Sequence, residues 1–137
     1  MTNDEKRRFR FAVNGTVFEA GERAELGRDL LQIAGCEPAN EFVLIEITRP
    51  GSRSVGLDEE VNLAEGGQKE YRAFRADRAF MFVAIERGYE WGSPTIAEED
   101  LRDITGTTDE DVLVLVRPGQ PDTELEPGMQ VDLSSIG

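Results

Sequence analysis

The apolar positions of the chain fall into short periodic clusters punctuated by turn residues. Phe9, Phe11 and Val13 alternate with Arg8, Arg10 and Ala12, the period of a half-buried strand. Asn14-Gly15 is a hairpin turn, and Val17-Phe18-Glu19 starts the returning strand. Leu26, Leu30, Ile33 and Ala34 share one helical face, and Gly35 stands where a helix end takes a left-handed residue. Phe42 to Ile47 is apolar on both faces, which predicts a central strand. Arg49-Pro50-Gly51 is a turn, Val55 to Leu57 a short edge strand, and Glu70 to Arg75 a last strand. The predicted core is Phe9, Phe11, Leu30, Ile33 and Leu44.

The pattern then recurs. At a shift of 71 residues Phe9 meets Phe80, Phe11 meets Phe82, Gly35 meets Gly106 and Leu44 meets Leu115. After loop changes the shift becomes 70, pairing Val61-Asn62-Leu63 with Val131-Asp132-Leu133 and Gly67 with Gly137. The matches concentrate on apolar residues and glycines, the positions that fix a fold. Phe80 to Ile85 and Tyr89-Glu90-Trp91 form the second hairpin. Thr95-Ile96-Ala97-Glu98 is a capping box that starts a helix at Ile96. Val112 to Val116 is the second central strand, and Arg117-Pro118-Gly119 repeats the turn. The second core is Phe80, Phe82, Leu101, Ile104 and Leu115.

Strand, strand, helix, strand, short strand, strand is the order of the β-grasp fold. Val13-Asn14-Gly15, Leu31 to Gly35, Tyr89-Glu90-Trp91 and Val131-Asp132-Leu133 followed by Gly137 carry a closer likeness. On these residues the chain resembles the bacterial multi-ubiquitin family, tandem ubiquitin-like domains of ubiquitination-like operons. The resemblance implies an α+β chain of two β-grasp domains, residues 8–76 and 79–137, joined near Arg75 to Arg78. It implies a protein modifier: an activating enzyme adenylates its C-terminal carboxylate with ATP, a conjugating enzyme passes it to a target, and a metal-dependent peptidase removes it. It also implies antiphage defence. Such a chain is a substrate of enzymes, not an enzyme. The alternative is a non-covalent ubiquitin-like scaffold or binding module.

One departure stands out. Gly67 is followed by the predicted last strand, whereas its counterpart Gly137 ends the sequence. Either the chain is truncated, or the second domain borrows a strand, or the two ends do not correspond. Gly137 accordingly has two readings, the conjugation residue or a turn glycine mirrored by Gly67. Met81 and Val83 are apolar where the first half has Arg10 and Ala12, which marks them as contacts with the other domain or with a partner.

Charge and composition exclude several chemistries. The chain has 137 residues, a net charge of −13, no histidine and one cysteine. His-based nucleophilic catalysis, His-ligated metal and an internal disulfide are excluded. An acidic chain lacks the cationic face of a nucleic-acid binder. Residues 1–78 carry 15 acids and 12 bases, net −3, and residues 79–137 carry 13 acids and 3 bases, net −10. That asymmetry serves solubility or steers a basic partner. Cys36 is expected to be structural, and Glu98-Glu99-Asp100 and Asp109-Glu110-Asp111 to be solvated faces and not metal sites. No phosphate-cradling loop is present, and no cofactor is expected. Met1 to Arg10 lacks an apolar signal core and no apolar run approaches a membrane span, so the expected location is the cytoplasm, with no membrane contact.

Overall fold

A computed structural model describes residues 9–64 and 67–133. The Asn14-Gly15 turn takes two left-handed residues, φ 53° and 83°, and closes β1 (Phe9–Val13) onto β2 (Thr16–Ala20). This is the two-residue turn whose twist suits a hairpin. β4 (Phe42–Ile47) is apolar at five of its six positions, and β7 (Lys69–Arg75) buries Tyr71 completely. They take the middle of a five-stranded sheet of order β2-β1-β7-β4-β5, with β5 being Ser52–Val55. β1 and β7 run parallel and every other pair is antiparallel. The helix α1 (Gly27–Ile33) packs with one face of this sheet, burying Phe11, Leu30, Leu31, Leu44 and Tyr71 together. β3 (Ala24–Leu26) pairs with β6 (Glu60–Asn62) beside the helix, an element the periodicity did not predict.

The second half repeats the order as far as the counterpart of β6, with the third and fourth long strands cut to two residues each. β8 (Phe80–Ala84) and β9 (Arg87–Trp91) form a hairpin, and β10 (Thr95–Ala97) pairs with β13 (Gln130–Asp132). α2 (Glu98–Thr105) follows, then β11 (Val114–Leu115) against β12 (Thr123–Glu124). The repeat extends to single hydrogen bonds. Gly35 and Cys36 donate to the carbonyls of Gln32 and Leu31, while Gly106 and Thr107 donate to those of Asp103 and Arg102. This is one helix-ending motif used twice, each time with a left-handed glycine, φ 82° and 77°. The β3–β6 pair, with Glu25 opposite Val61, matches the β10–β13 pair, with Ile96 opposite Val131.

Several expectations need correction. Ile33 is 37 % exposed, and Leu31 takes the inward position beside Leu30. Its repeat partner Ile104 is 1 % exposed, because the second cluster includes Ile45 and Ile47 of the first-half sheet as well as its own residues. Phe9, Phe80 and Leu115 are only partly buried. α2 begins at Glu98, since Thr95 to Ala97 are engaged as β10 and no side chain caps the helix. The edge strand β5 starts at Ser52, straight after the turn, and excludes Leu57. Val112 to Val116 keeps only two strand residues, Val114 and Leu115.

β4 is buried on both faces. Leu44 faces the first cluster, and Ile45 and Ile47 face the second. Glu46, on the Leu44 face, is 8 % exposed; it accepts from Arg53 directly across on β5 at 3.1 Å and lies 3.6 Å from Lys69.

Candidate interaction surface

In the first half β7 closes the core. Its residues pair with β1 from Phe11 to Val13 and with β4 along all six positions, and the side chain of Tyr71 is fully buried. Asn14 pins the strand: its N–H donates to the Tyr71 carbonyl at 3.0 Å, and its amide oxygen accepts from the Ala73 N–H at 3.0 Å. Burial, then the charge of Glu46, holds the Tyr71 phenol well above the usual tyrosine range. Its hydroxyl finds no partner among the described residues.

Among the described residues of the second half nothing takes that place. β8 pairs with β9 alone, and β11 with β12 alone. The gap between β8 and β11 is a cavity of about 420 Å³. Phe82, Ile96, Leu101, Leu115, Leu125 and Val131 line it from the core, whereas Val83, Ile85, Val114 and Val116 line it and are exposed. With Ile85-Glu86 as a two-residue turn, Ala84–Arg87 and Phe82–Tyr89 are the hydrogen-bonded pairs of the hairpin. The backbone N–H groups of Met81 and Val83 therefore point away from β9, toward the gap. Ile85 and Glu86 occupy the left-handed region, φ 50° and 62°, where the first half has Asn and Gly. For a β-branched residue that backbone is strained.

Met81 and Val83 are 69 % and 76 % exposed. Val83 reaches the cavity, Met81 does not line it, and neither side chain belongs to the shared core. Ile85, Val112, Val114 and Val116 join Val83 there as exposed residues that the sequence pattern does not single out. The signal is the unbroken apolar run Val112 to Val116, which predicts a central strand and pairs with β12 alone among the described residues. Gly137 lies outside the described residues.

The halves meet along a polar and an apolar seam. Arg49 donates to Glu70 at 2.6 and 2.7 Å and to Asp103 at 2.6 and 2.9 Å, and these bonds raise its pKa further. Arg72 reaches Asp100 at 3.3 Å and lies over the Trp91 ring, whose edge meets Phe74. Glu90 accepts from the Ser54 N–H and hydroxyl at 2.7 and 3.1 Å, binding β9 to the edge strand β5. Gly92 sits so close to Phe74 that a Cβ there would overlap the ring.

The other candidates resolve individually. Cys36 is half-buried, and burial pushes its thiol up, away from the thiolate. Glu98 departs from the expected solvated face: it is buried and ion-paired with Arg102, which also donates to the carbonyls of Thr108 and Asp111. Asp111 caps its own turn by accepting from the Thr108 N–H at 2.8 Å. Among the described residues no group of three or more His, Cys, Asp or Glu converges on a metal-sized site. No helix among them is long and apolar enough to cross a membrane.

No curated protein and no solved structure matches the chain. Residues 9–70, which hold β1 to β6, α1 and the start of β7, are similar to the Multiubiquitin family, whose model they match.

Proposed function

We propose that the chain is a protein modifier built from two tandem ubiquitin-like β-grasp domains, residues 8–76 and 79–137. The Multiubiquitin match over residues 9–70 carries this reading, and the recurrence of strand pairs and helix-ending bonds in the second half supports it. In this reading an activating enzyme adenylates the C-terminal carboxylate, a conjugating enzyme transfers it to a target protein, and a peptidase reverses the bond. The setting is a bacterial ubiquitination-like pathway with an antiphage role in the cytoplasm. Gly137 is the candidate residue of conjugation. The acidic second half steers the tail toward a basic cleft, so association with the activating enzyme weakens as salt rises.

The test is to mix the chain, and any longer encoded form, with ATP and the activating enzyme, and to look for adenylate, thioester or conjugate by mass spectrometry. Reaction of a longer form alone, at another glycine, removes Gly137 and keeps the modifier. Absence of any adduct removes the modifier. The open apolar cavity between β8 and β11 favours the second reading, a non-covalent scaffold or binding module.

A further inference from the structure

We propose that the folded body formed by the described residues is a poor acceptor of acyl groups, so that the activated carboxylate passes to amines of a separate protein and not to the body of a second copy. This rests on the modifier reading and deepens it by naming the acceptor. In the step that would join two copies, a neutral amine attacks the carbonyl carbon of the adenylate or thioester. A C–N bond replaces the C–O or C–S bond, AMP or the thiol leaves, and the amine gives up a proton to solvent. Lysine can supply that amine, whereas the guanidinium of arginine stays protonated.

The basic residues divide accordingly. Of the 15, all but Lys6 and Lys69 are arginine. At some sites the geometry demands it: Arg49 spans Glu70 and Asp103, and Arg102 spans Glu98 and two loop carbonyls. At others it does not. Arg10 meets Glu19 through one contact at 3.3 Å, and Arg28 meets Asp58 through one contact, with the arginine side chains 67 % and 44 % exposed. An ammonium serves such an exposed pair as well, because the pair contributes little either way. What arginine changes there is reactivity, since an amine at either position would stand in solvent, open to an acyl donor.

Lys69 is the one lysine among the described residues, and its surroundings withhold it. At alternate positions on β7 it shares the face of Tyr71, whose side chain is fully buried. The Lys69 side chain is 23 % exposed, and its ammonium lies 3.6 Å from the buried carboxylate of Glu46. Acylation would put a neutral amide in place of that charge and leave the carboxylate with Arg53 beside it. Taking a partner from a buried charge opposes the reaction. Any copy-to-copy link through a lysine side chain then falls to Lys6, which lies outside the described residues.

The experiment exposes the full chain for short times to the N-hydroxysuccinimide ester of biotin, an acyl donor, and maps each modified amine by mass spectrometry. The comparison is a chain carrying Arg10→Lys, which places one exposed amine on β1 of the same fold. The expected result is that Lys69 reacts about tenfold or more slowly than the amine at position 10, and that the two react alike in concentrated urea. Glu46→Gln keeps the shape of the side chain and removes its charge, and should raise the Lys69 rate by about threefold or more. Equal rates at the two positions in the folded chain overturn the proposal. So does a difference that persists in urea, since it then comes from local sequence and not from the fold. An unchanged Lys69 rate in Glu46→Gln overturns the part given to Glu46. Neither ATP nor an activating enzyme enters, so this test and the adenylation test fail separately.

Discussion

Ile33 and Ile104 are the same residue at the same repeat position, and their environments differ. Ile33 lies on the surface side of α1, while Ile104 is packed into a cluster completed by β4. Ile104→Ala should cost about 2–5 kcal/mol and Ile33→Ala less than about 1 kcal/mol, measured by urea unfolding. Equal costs would mean that the two halves do not share a core. Tyr71 offers a second contrast. Its hydroxyl is buried without a partner among the described residues, so Tyr71→Phe should be neutral or stabilising by about 1 kcal/mol at neutral pH. Its phenol is raised above the ordinary value of 10.0, so the folded chain favours the neutral form. That contribution is full below about pH 10 and declines as pH rises further. The loss of stability between neutral and strongly alkaline solution should be smaller in Tyr71→Phe, as followed by denaturation at stepped pH. An undiminished loss would place the alkaline sensitivity in another group.

At the scale of elements, the two helices solve one problem by different chemistry. α1 puts Gly27 and Leu31 where α2 puts Glu98 and Arg102. Gly27 lies against the Gly56 carbonyl with no room for a Cβ, whereas Glu98 and Arg102 form a buried ion pair that also holds the loop carbonyls of Thr108 and Asp111. Arg102→Ala strands Glu98 and both carbonyls and should cost about 3–5 kcal/mol by thermal unfolding. A cost below about 1 kcal/mol would show that water replaces the arginine. Such contrasts set the limit of what the sequence discloses. The strands β1, β2, β4, β7, β8 and β9, both hairpins and both helix C-termini are readable, because glycines and alternation report local backbone demands. Ile33 departs from its expected burial because Leu30, Leu31, Ile33 and Ala34 allow two apolar faces, and only the position of the sheet selects one. Thr95 looked like a helix cap, but its backbone is committed to β10, a long-range pairing with residues near the end of the chain. The apolar cavity was legible only as a missing strand, its rim at Val83 and Val114 depending on which neighbours are present.

For the whole molecule, the second cluster is completed by the first half. Ile45 is fully buried in it and Ile47 nearly so, while Phe74 and Val43 pack against it. Ile45→Ala, a change in a strand of the first half, should therefore cost about 2–5 kcal/mol and speed hydrogen exchange across α2. Unchanged exchange in residues 98–105 would show that the halves open independently.

The buried carboxylate on β4 has a further consequence. A strand that is apolar on both faces carries little information about its own alignment, because sliding it by one residue exchanges one greasy surface for another. Glu46 supplies the missing index mark. In the native alignment its charge meets Arg53 across the ladder and Lys69 on the other side. One residue out, it would leave both cations and be turned toward the face that holds Trp91 and Ile104. The single acid in an oily strand thus acts as a key that fits one lock position, and Glu46→Leu is expected to yield a chain that collapses as readily but settles into more than one strand alignment, visible as doubled amide resonances along β4 and β5.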